Sequence, residues 1–229
     1  LPRETSARIF NLLTGNIAET VIIRTLIEKI LLIQLQSPID LVVTAPDGKK
    51  IGKNFSNGSE YDEIPFAFYS GYQTDDEYIT ILNPLDGEYK IEVQGTDNGG
   101  DYGILTSYAS DQFATTTETI GITEPSQITD LAVIVDNQNP GNLKVERQIT
   151  LDILINDIRG AYNLGWIKEK KTRDKLIKKV QKIYKSGKKT DKKLAKALAF
   201  DLKLYRKEKI NEQAYNIIKE DLEYLINNN

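Results

Sequence analysis

The spacing of apolar residues changes once along the chain, near Pro140, and this change limits the possible folds. Before it, across residues 88–95, apolar and polar residues alternate, which is the period of a half-buried strand. After it, across residues 151–162, apolar residues recur every three or four positions, as on one face of a helix. A run of strands followed by a run of helices predicts a multi-domain α+β chain.

The first part predicts an antiparallel β-sandwich. Turn residues such as Pro46-Asp47-Gly48 and Asn98-Gly99-Gly100-Asp101 separate short apolar runs. Several strands at this spacing are typical of a small sandwich. The predicted strands cover residues 29–36, 39–44, 77–82, 88–95, 102–109, 115–122 and 128–135, with a return through Lys50 and Ile51.

The second part predicts an all-α bundle of about four helices. The first helix starts near Leu151 and ends at Gly165, and the second is expected to be capped by Thr172 and to end at Gly187. The third begins at Thr190 or Asp191. The fourth begins at Asn211, where Ile210 and Tyr215 have the spacing of a hydrophobic staple. Trp166, between the first two helices, is expected to fill the bundle core, although an exposed ligand platform is the alternative.

Charge divides the chain at the same place. Residues 1–150 hold 10 Lys and Arg against 22 Asp and Glu, a net charge of −12, whereas residues 151–229 hold 20 against 11, a net charge of +9. We therefore expect a β-sandwich over residues 21–136, a linker over residues 137–148 and the helical bundle over residues 149–229.

Residues 1–20 predict a short helix that belongs to neither the β-sandwich nor the helical bundle. Thr5 or Ser6 can cap it and Gly15 can end it. A lone helix of this length is marginal in water, so it is expected to dock on something. We expect it to be a helix left from an upstream domain.

The chain has no His and no Cys. This composition removes the usual base for a Ser or Cys nucleophile and the commonest zinc ligands. No Gly-x-Ser-x-Gly elbow occurs either. We expect no catalytic residues, no cofactor and no metal ligands in this chain, and therefore no enzyme activity. No apolar run approaches the roughly 20 residues that a transmembrane helix needs.

A stretch rich in aromatic residues, "EYDEIPFAFYSGY" at 60–72, is the best candidate for a binding surface. Phe66, Phe68, Tyr69 and Tyr72 could stack on sugar rings. A loop folded across an open end of the sandwich would use the same residues, and this structural interpretation is the favoured one.

Two further stretches have both a functional and a structural interpretation. Asp97, Asn98 and Asp101 offer oxygen ligands for calcium but lack the EF-hand spacing, so a hairpin turn is favoured. The lysines of residues 168–196 could bind nucleic acid, but few aromatic residues lie between them, so a solvated face is favoured. Contact with the acidic half or with an anionic cell envelope remains an alternative. "SGKKT" at 186–190 lacks the first Gly of a phosphate loop and is expected to be a turn.

Residues 35–110 resemble a known accessory module. "SPIDLVVTAPDGKKIG", "DEIPFAFYSG" and "ITILNPLDGEYKIEVQGT" occur in that order. They are similar to a β-sandwich module that follows catalytic domains in bacterial extracytoplasmic proteins, including lipase-like α/β-hydrolases.

Residues 149–227 resemble the FIMAH-type helical domain that ends many bacterial surface and secreted proteins. The resemblance rests on "ILINDIRGAYNLGWIKEKKTRDKLIKKVQKIY" and "INEQAYNIIKEDLEYLI". The lysine-rich third helix matches only loosely, and the domain type has no established catalytic role.

Together these resemblances imply the C-terminal region of an exported bacterial lipase- or esterase-like hydrolase. "LPRETSARIFNLLTG" then looks like the last helix of the hydrolase domain. The implied role is to stabilise the parent protein or to attach it to the cell surface or to a partner. The implied partners are the upstream catalytic domain and an envelope glycan or protein. An independent glycan- or protein-binding module is the first alternative, and nucleic-acid binding is the second.

Overall fold

The computed structural model describes residues 27–36, 38–73, 77–185 and 192–228. The predicted helix within residues 1–20 and the "SGKKT" segment lie outside these residues, as do Thr190 and Asp191. In the described part, antiparallel strands precede helices, so the predicted α+β class and the order of its parts are confirmed.

The strands form two antiparallel sheets. They are β1 Lys29–Gln36, β2 Ile39–Thr44, β3 Lys50–Lys53, β4 Glu60–Asp62, β5 Ala67–Tyr69, β6 Tyr78–Leu82, β7 Gly87–Gly95, β8 Gly100–Ser110, β9 Ala114–Thr123, β10 Ile128–Val135 and β11 Lys144–Arg147. One sheet has the order β5-β6-β1-β8-β9, and the other has the order β11-β10-β7-β2-β3-β4. The predicted strands are confirmed to within two residues, while the short strands β4, β5 and β11 have no clear alternation and were missed.

A single hydrophobic core is shared by the two sheets. Leu31 and Ile79 enter it from the five-stranded sheet, and Leu41 and Val133 enter it from the six-stranded sheet, all fully buried. Their neighbours along each strand point the other way because side chains alternate across a sheet. This alternation is the physical origin of the sequence pattern.

Four helices follow in the described residues: α1 Leu151–Asn163, α2 Lys170–Lys185, α3 Lys192–Tyr205 and α4 Glu212–Asn227. Their apolar residues form a second core, against which Trp166 is partly buried. The Thr150 and Asn211 side chains cap α1 and α4 by accepting hydrogen bonds from the amides of Ile153 and Ala214.

The expected cap of the second helix was wrong. α2 begins at Lys170, so Thr172 lies inside the first turn and is buried. Its hydroxyl donates to the Glu169 carboxylate at 3.2 Å. Glu169 precedes the helix and also receives the Lys209 ammonium at 2.9 Å, which ties the helix start to the chain before α4.

The sheets and the helices meet within the segment expected to be a linker. Residues 137–148 contain a short 3₁₀ turn, Pro140–Asn142, and then β11, which pairs with β10. Ile122 of β9 belongs to the second core, beside α1. The helices therefore pack at the β9 edge of the five-stranded sheet, whereas β5 forms its opposite edge.

Candidate functional site

The aromatic stretch lies at the edge formed by β4 and β5. Ala67 and Tyr69 of β5 pack against the shared core, so Phe68 between them points outward. Phe68 is 56% exposed and Phe66 is 83% exposed. These two phenylalanines, two positions apart in sequence, are apolar side chains that the described part of the fold does not bury.

Phe66 adopts a backbone conformation that an aromatic residue rarely has. Its φ is +58°, and it follows Pro65 in a turn that the Ala67 amide closes by donating to the Ile64 carbonyl at 3.3 Å. Proline followed by a residue with positive φ is typical of a type II turn, where the second position favours Gly. A bulky residue there costs on the order of 1 kcal/mol. The Phe66 ring is exposed despite this cost, and such strain is often found at functional sites.

Phe68 has an aromatic neighbour that sequence reasoning missed. The ring of Tyr78 on β6 lies 5.7 Å from the ring of Phe68, centroid to centroid, tilted by 41°. Phe68 pairs with Thr80 across the β5–β6 ladder, and Tyr78 is two residues from Thr80, so both rings share one face of the sheet. No signal in the sequence joins the two residues, because the contact depends on the register of the strands.

Tyr69 and Tyr72 hold the stretch in place. The Tyr69 hydroxyl donates to Glu77 Oε1 at 2.5 Å, and the Tyr72 hydroxyl donates to the Gly58 carbonyl at 3.0 Å. The Lys53 ammonium lies 4.2 Å from the Tyr72 ring centroid, a cation–π contact. Of the four predicted residues, Phe66 and Phe68 therefore present a surface, and the two tyrosines position it.

A buried charged cluster contacts the aromatic stretch through Tyr69. Glu77 is only 3% exposed, and its Oε1 also accepts from the Leu41 amide at 3.3 Å. Beside it, Asp40 Oδ2 forms an ion pair of 2.5 Å with Lys53 Nζ. Asp40 is the one charged residue of β2, and a charge inside a buried strand is a sequence signal of this cluster.

The Glu77 carboxyl has a strongly shifted pKa. Burial raises it from 4.5 to about 7, the nearby Asp40 carboxylate adds to the rise, and the hydrogen bond from Tyr69 opposes it. Burial, together with the hydrogen bond to Glu77, raises the pKa of Tyr69 well above its ordinary value. Proton gain or loss at Glu77 therefore acts on a side chain that anchors the aromatic stretch.

A second buried ionic cluster lies where the sheets meet the helices. The Arg147 guanidinium of β11 donates to Asp157 of α1 at 2.8 Å and to Asp221 of α4 at 2.9 Å. The Tyr102 ring centroid lies 5.9 Å from this guanidinium. Burial raises the pKa of Asp221 well above its usual range, and repulsion from Asp157 adds to the rise while Arg147 opposes it. Because the cluster joins β11, α1 and α4, it forms part of the junction between the sheets and the helices.

The acidic stretch considered for calcium forms the turn between β7 and β8. Asp97 has a φ of +48°, and the Gly99 amide donates to the Thr96 carbonyl at 2.9 Å. In the described ranges, no three Asp or Glu side chains come close enough together to hold a metal ion. None of the described helices is long and apolar enough to cross a bilayer.

Comparison with family models, curated proteins and solved structures finds no significant match to this chain.

Proposed function

We propose that this chain is a non-catalytic accessory region that binds an envelope glycan through Phe66, Phe68 and Tyr78. The observation that carries the proposal is the pair of exposed phenylalanines beside the half-buried, hydrogen-bonded tyrosines Tyr69 and Tyr72. Sugar rings present flat apolar faces, and exposed aromatic rings on a rigid element are suited to stack on them.

The rigidity of the surface supports binding. Tyr69 and Tyr72 are anchored by hydrogen bonds, and β5 is paired to β6. A surface that is already ordered loses little conformational entropy on binding. Glu60 and Asp62 of the adjacent β4, which are exposed, add acceptors that can take hydrogen bonds from sugar hydroxyls.

The architecture that we propose is a β-sandwich of the two sheets followed by a compact bundle of the four helices. The shared core between the sheets and the separate core of the helices support it. The resemblance to modules of exported bacterial hydrolases supports an extracytoplasmic location and an upstream lipase- or esterase-like domain as the parent. In that arrangement the accessory region stabilises the catalytic domain or attaches it to the envelope.

Binding to isolated peptidoglycan, measured by co-sedimentation with the full 229-residue chain, tests the glycan site. We expect the F66A/F68A variant to bind at least about tenfold more weakly, since hot-spot aromatic residues each contribute more than about 1 kcal/mol. The matched control is Phe113→Ala, because Phe113 is exposed in the β8–β9 turn and outside the site.

Equal binding by F66A/F68A and the wild type would overturn the glycan site. Capture of a protein from the same envelope fraction, lost in F66A/F68A while peptidoglycan is not bound, would instead favour the protein-binding alternative. The proposal that the chain is non-catalytic is tested separately. Reproducible hydrolysis of p-nitrophenyl esters by the purified chain would contradict it.

A further inference from the structure

Helix α3 carries apolar residues on two faces, and within the described part of the chain only one of them packs in a core. Leu198 and Leu202 are fully buried in the second core. On the opposite face Phe200 is 63% exposed and Leu204 is 58% exposed. Positions i and i+4 lie one above the other on a helix, so these two side chains and the exposed Ala197 form one apolar strip.

Lysines border this strip on both sides. On one side lie Lys196 and Lys203 of α3, both exposed. On the other side α2 packs, and its Lys179 ammonium lies 2.5 Å from Asp201 while the Lys175 ammonium lies 2.5 Å from the Tyr205 hydroxyl. The strip is thus an apolar band between two rows of ammonium groups.

The acidic residue of α3 does not neutralise this face. α3 contains one acidic residue, Asp201, which is 9% exposed and turned toward α2. Lys175 and Lys179 both approach that single carboxylate, at 3.8 and 2.5 Å, so a net positive charge remains beside the strip. Residues 151–229 as a whole carry a net charge of +9.

We infer that the face formed by Ala197, Phe200 and Leu204 and by Lys175, Lys179, Lys196 and Lys203 docks on an anionic lipid surface. At a bilayer interface, apolar side chains enter the boundary of the acyl chains, and lysines extend their ammonium groups to the phosphates. The apolar strip then contacts acyl chains, and the lysines contact lipid phosphates. A nucleic acid would meet the lysines but would leave the apolar strip without an apolar region to enter.

This docking surface is separate from the proposed glycan site. The strip is on α3, whereas Phe66 and Phe68 lie at the edge of the sheets opposite to the one on which α1 packs. The inference does not rest on glycan binding, and the two can fail independently.

Co-sedimentation of the full chain with vesicles tests the inference. The vesicles contain phosphatidylcholine with phosphatidylglycerol, and vesicles of phosphatidylcholine alone provide the comparison. We expect binding only to the anionic vesicles, weakening as salt is added. The F200S/L204S variant should bind at least about tenfold more weakly because it loses two apolar insertions. The K196Q/K203Q variant should bind about twenty-five-fold more weakly, since each lysine near an anionic surface contributes about fivefold.

Matched controls separate the site from general effects. Leu85→Ser removes an apolar side chain that is 50% exposed in the sheet region, and K49Q/K144Q removes two lysines far along the chain from α3. Both controls should bind as the wild type does. All positions changed on α3 are exposed, and an unchanged thermal midpoint shows that the variants are folded.

Absence of wild-type binding to anionic vesicles at low salt would overturn the inference, as would unchanged binding by F200S/L204S. Analytical ultracentrifugation tests whether the strip binds a second copy of the chain instead. Self-association that F200S/L204S abolishes, in the absence of vesicle binding, would support that alternative. Retardation of DNA or RNA that needs the lysines but not Phe200 and Leu204 would also count against a lipid surface.

Discussion

Gly160 of α1 lies against Ile122 of β9 so closely that a β-carbon at position 160 would overlap the Ile122 Cγ2 methyl. Ile122 is fully buried and belongs to the core of the helices although it lies on a strand. The missing side chain at Gly160 is therefore what lets the helices approach the sheet.

Gly160→Ala is expected to destabilise the protein by about 1 to 2 kcal/mol. In an exposed helix the same change would stabilise by about 0.5–1 kcal/mol, but here overpacking costs about 1–3 kcal/mol. Urea denaturation measures the difference. In an Ile122→Ala background, where the methyl is gone, the Gly160→Ala change should be neutral or stabilising. Equal destabilisation in both backgrounds would contradict a direct contact.

Arg147→Met is expected to destabilise by about 3–5 kcal/mol at neutral pH because it removes the buried guanidinium that donates to both Asp157 and Asp221. The matched control is Lys144→Met on the exposed face of the same strand, which should change stability little. Chemical denaturation of both variants checks this expectation. A small effect of Arg147→Met would mean that the cluster does not hold the junction together.

The pH dependence of the same cluster has a definite sign. Because its pKa is raised in the folded state, Asp221 keeps its proton where the unfolded chain has lost it, so its contribution to stability falls as pH rises above 3.8. The Asp221→Asn variant carries no such proton. The free energy of unfolding of Asp221→Asn, measured by urea denaturation at a series of pH values, should therefore increase relative to that of the wild type as the pH rises. A difference that does not change with pH would contradict the raised pKa of Asp221.

Phe66→Asn is expected to be at least as stable as the wild type, with a gain of up to about 1 kcal/mol. Asn tolerates the positive φ at this position, and the exposed Phe66 ring contributes little burial. Phe68→Asn is the matched control, since Phe68 is also exposed but lies within β5, where Asn is disfavoured. Thermal unfolding compares the two variants. A clear loss of stability in Phe66→Asn would show that Phe66 serves the fold rather than binding.

Much of the fold follows from patterns that are local in sequence. The alternation in residues 88–95 predicts β7, and the capping position of Asn211 predicts the start of α4. Both depend on contacts between residues close together in the chain, for which period and side-chain chemistry are sufficient. The short strands β4 and β5 offer three residues each, too few for a period to show.

The candidate site is predictable only in part because its contacts join residues that are not close together in sequence. Composition identifies the aromatic stretch, but which rings are exposed depends on the alternation of β5 across the edge of a sheet. The Tyr69–Glu77 and Arg147–Asp221 pairs join residues 8 and 74 positions apart. Neither pair has a spacing that period or propensity can detect, because tertiary packing alone brings the partners together.

Glu77→Gln is expected to remove a fall in stability that the wild type shows between pH 4.5 and 7. The folded pKa of Glu77 is about 7 against 4.5 in the unfolded chain, so the folded state binds more protons in this interval. The contribution is fully present below pH 4.5 and is lost as pH rises through 7. A shift of this size corresponds to about 3 kcal/mol. Gln cannot ionise and keeps an oxygen that accepts from Tyr69 and Leu41.

Urea denaturation at a series of pH values compares Glu77→Gln with the wild type and with Glu88→Gln, an exposed control on β7. The Glu77→Gln variant should gain on the wild type across the interval and then keep a constant advantage at higher pH, while the control follows the wild type throughout. Because Glu77 holds the Tyr69 hydroxyl, loss of its proton also changes the anchor of β5. Parallel stability curves for Glu77→Gln and the wild type would mean that Glu77 titrates as an ordinary carboxyl, and the proposed link between its proton and the aromatic surface would then be wrong.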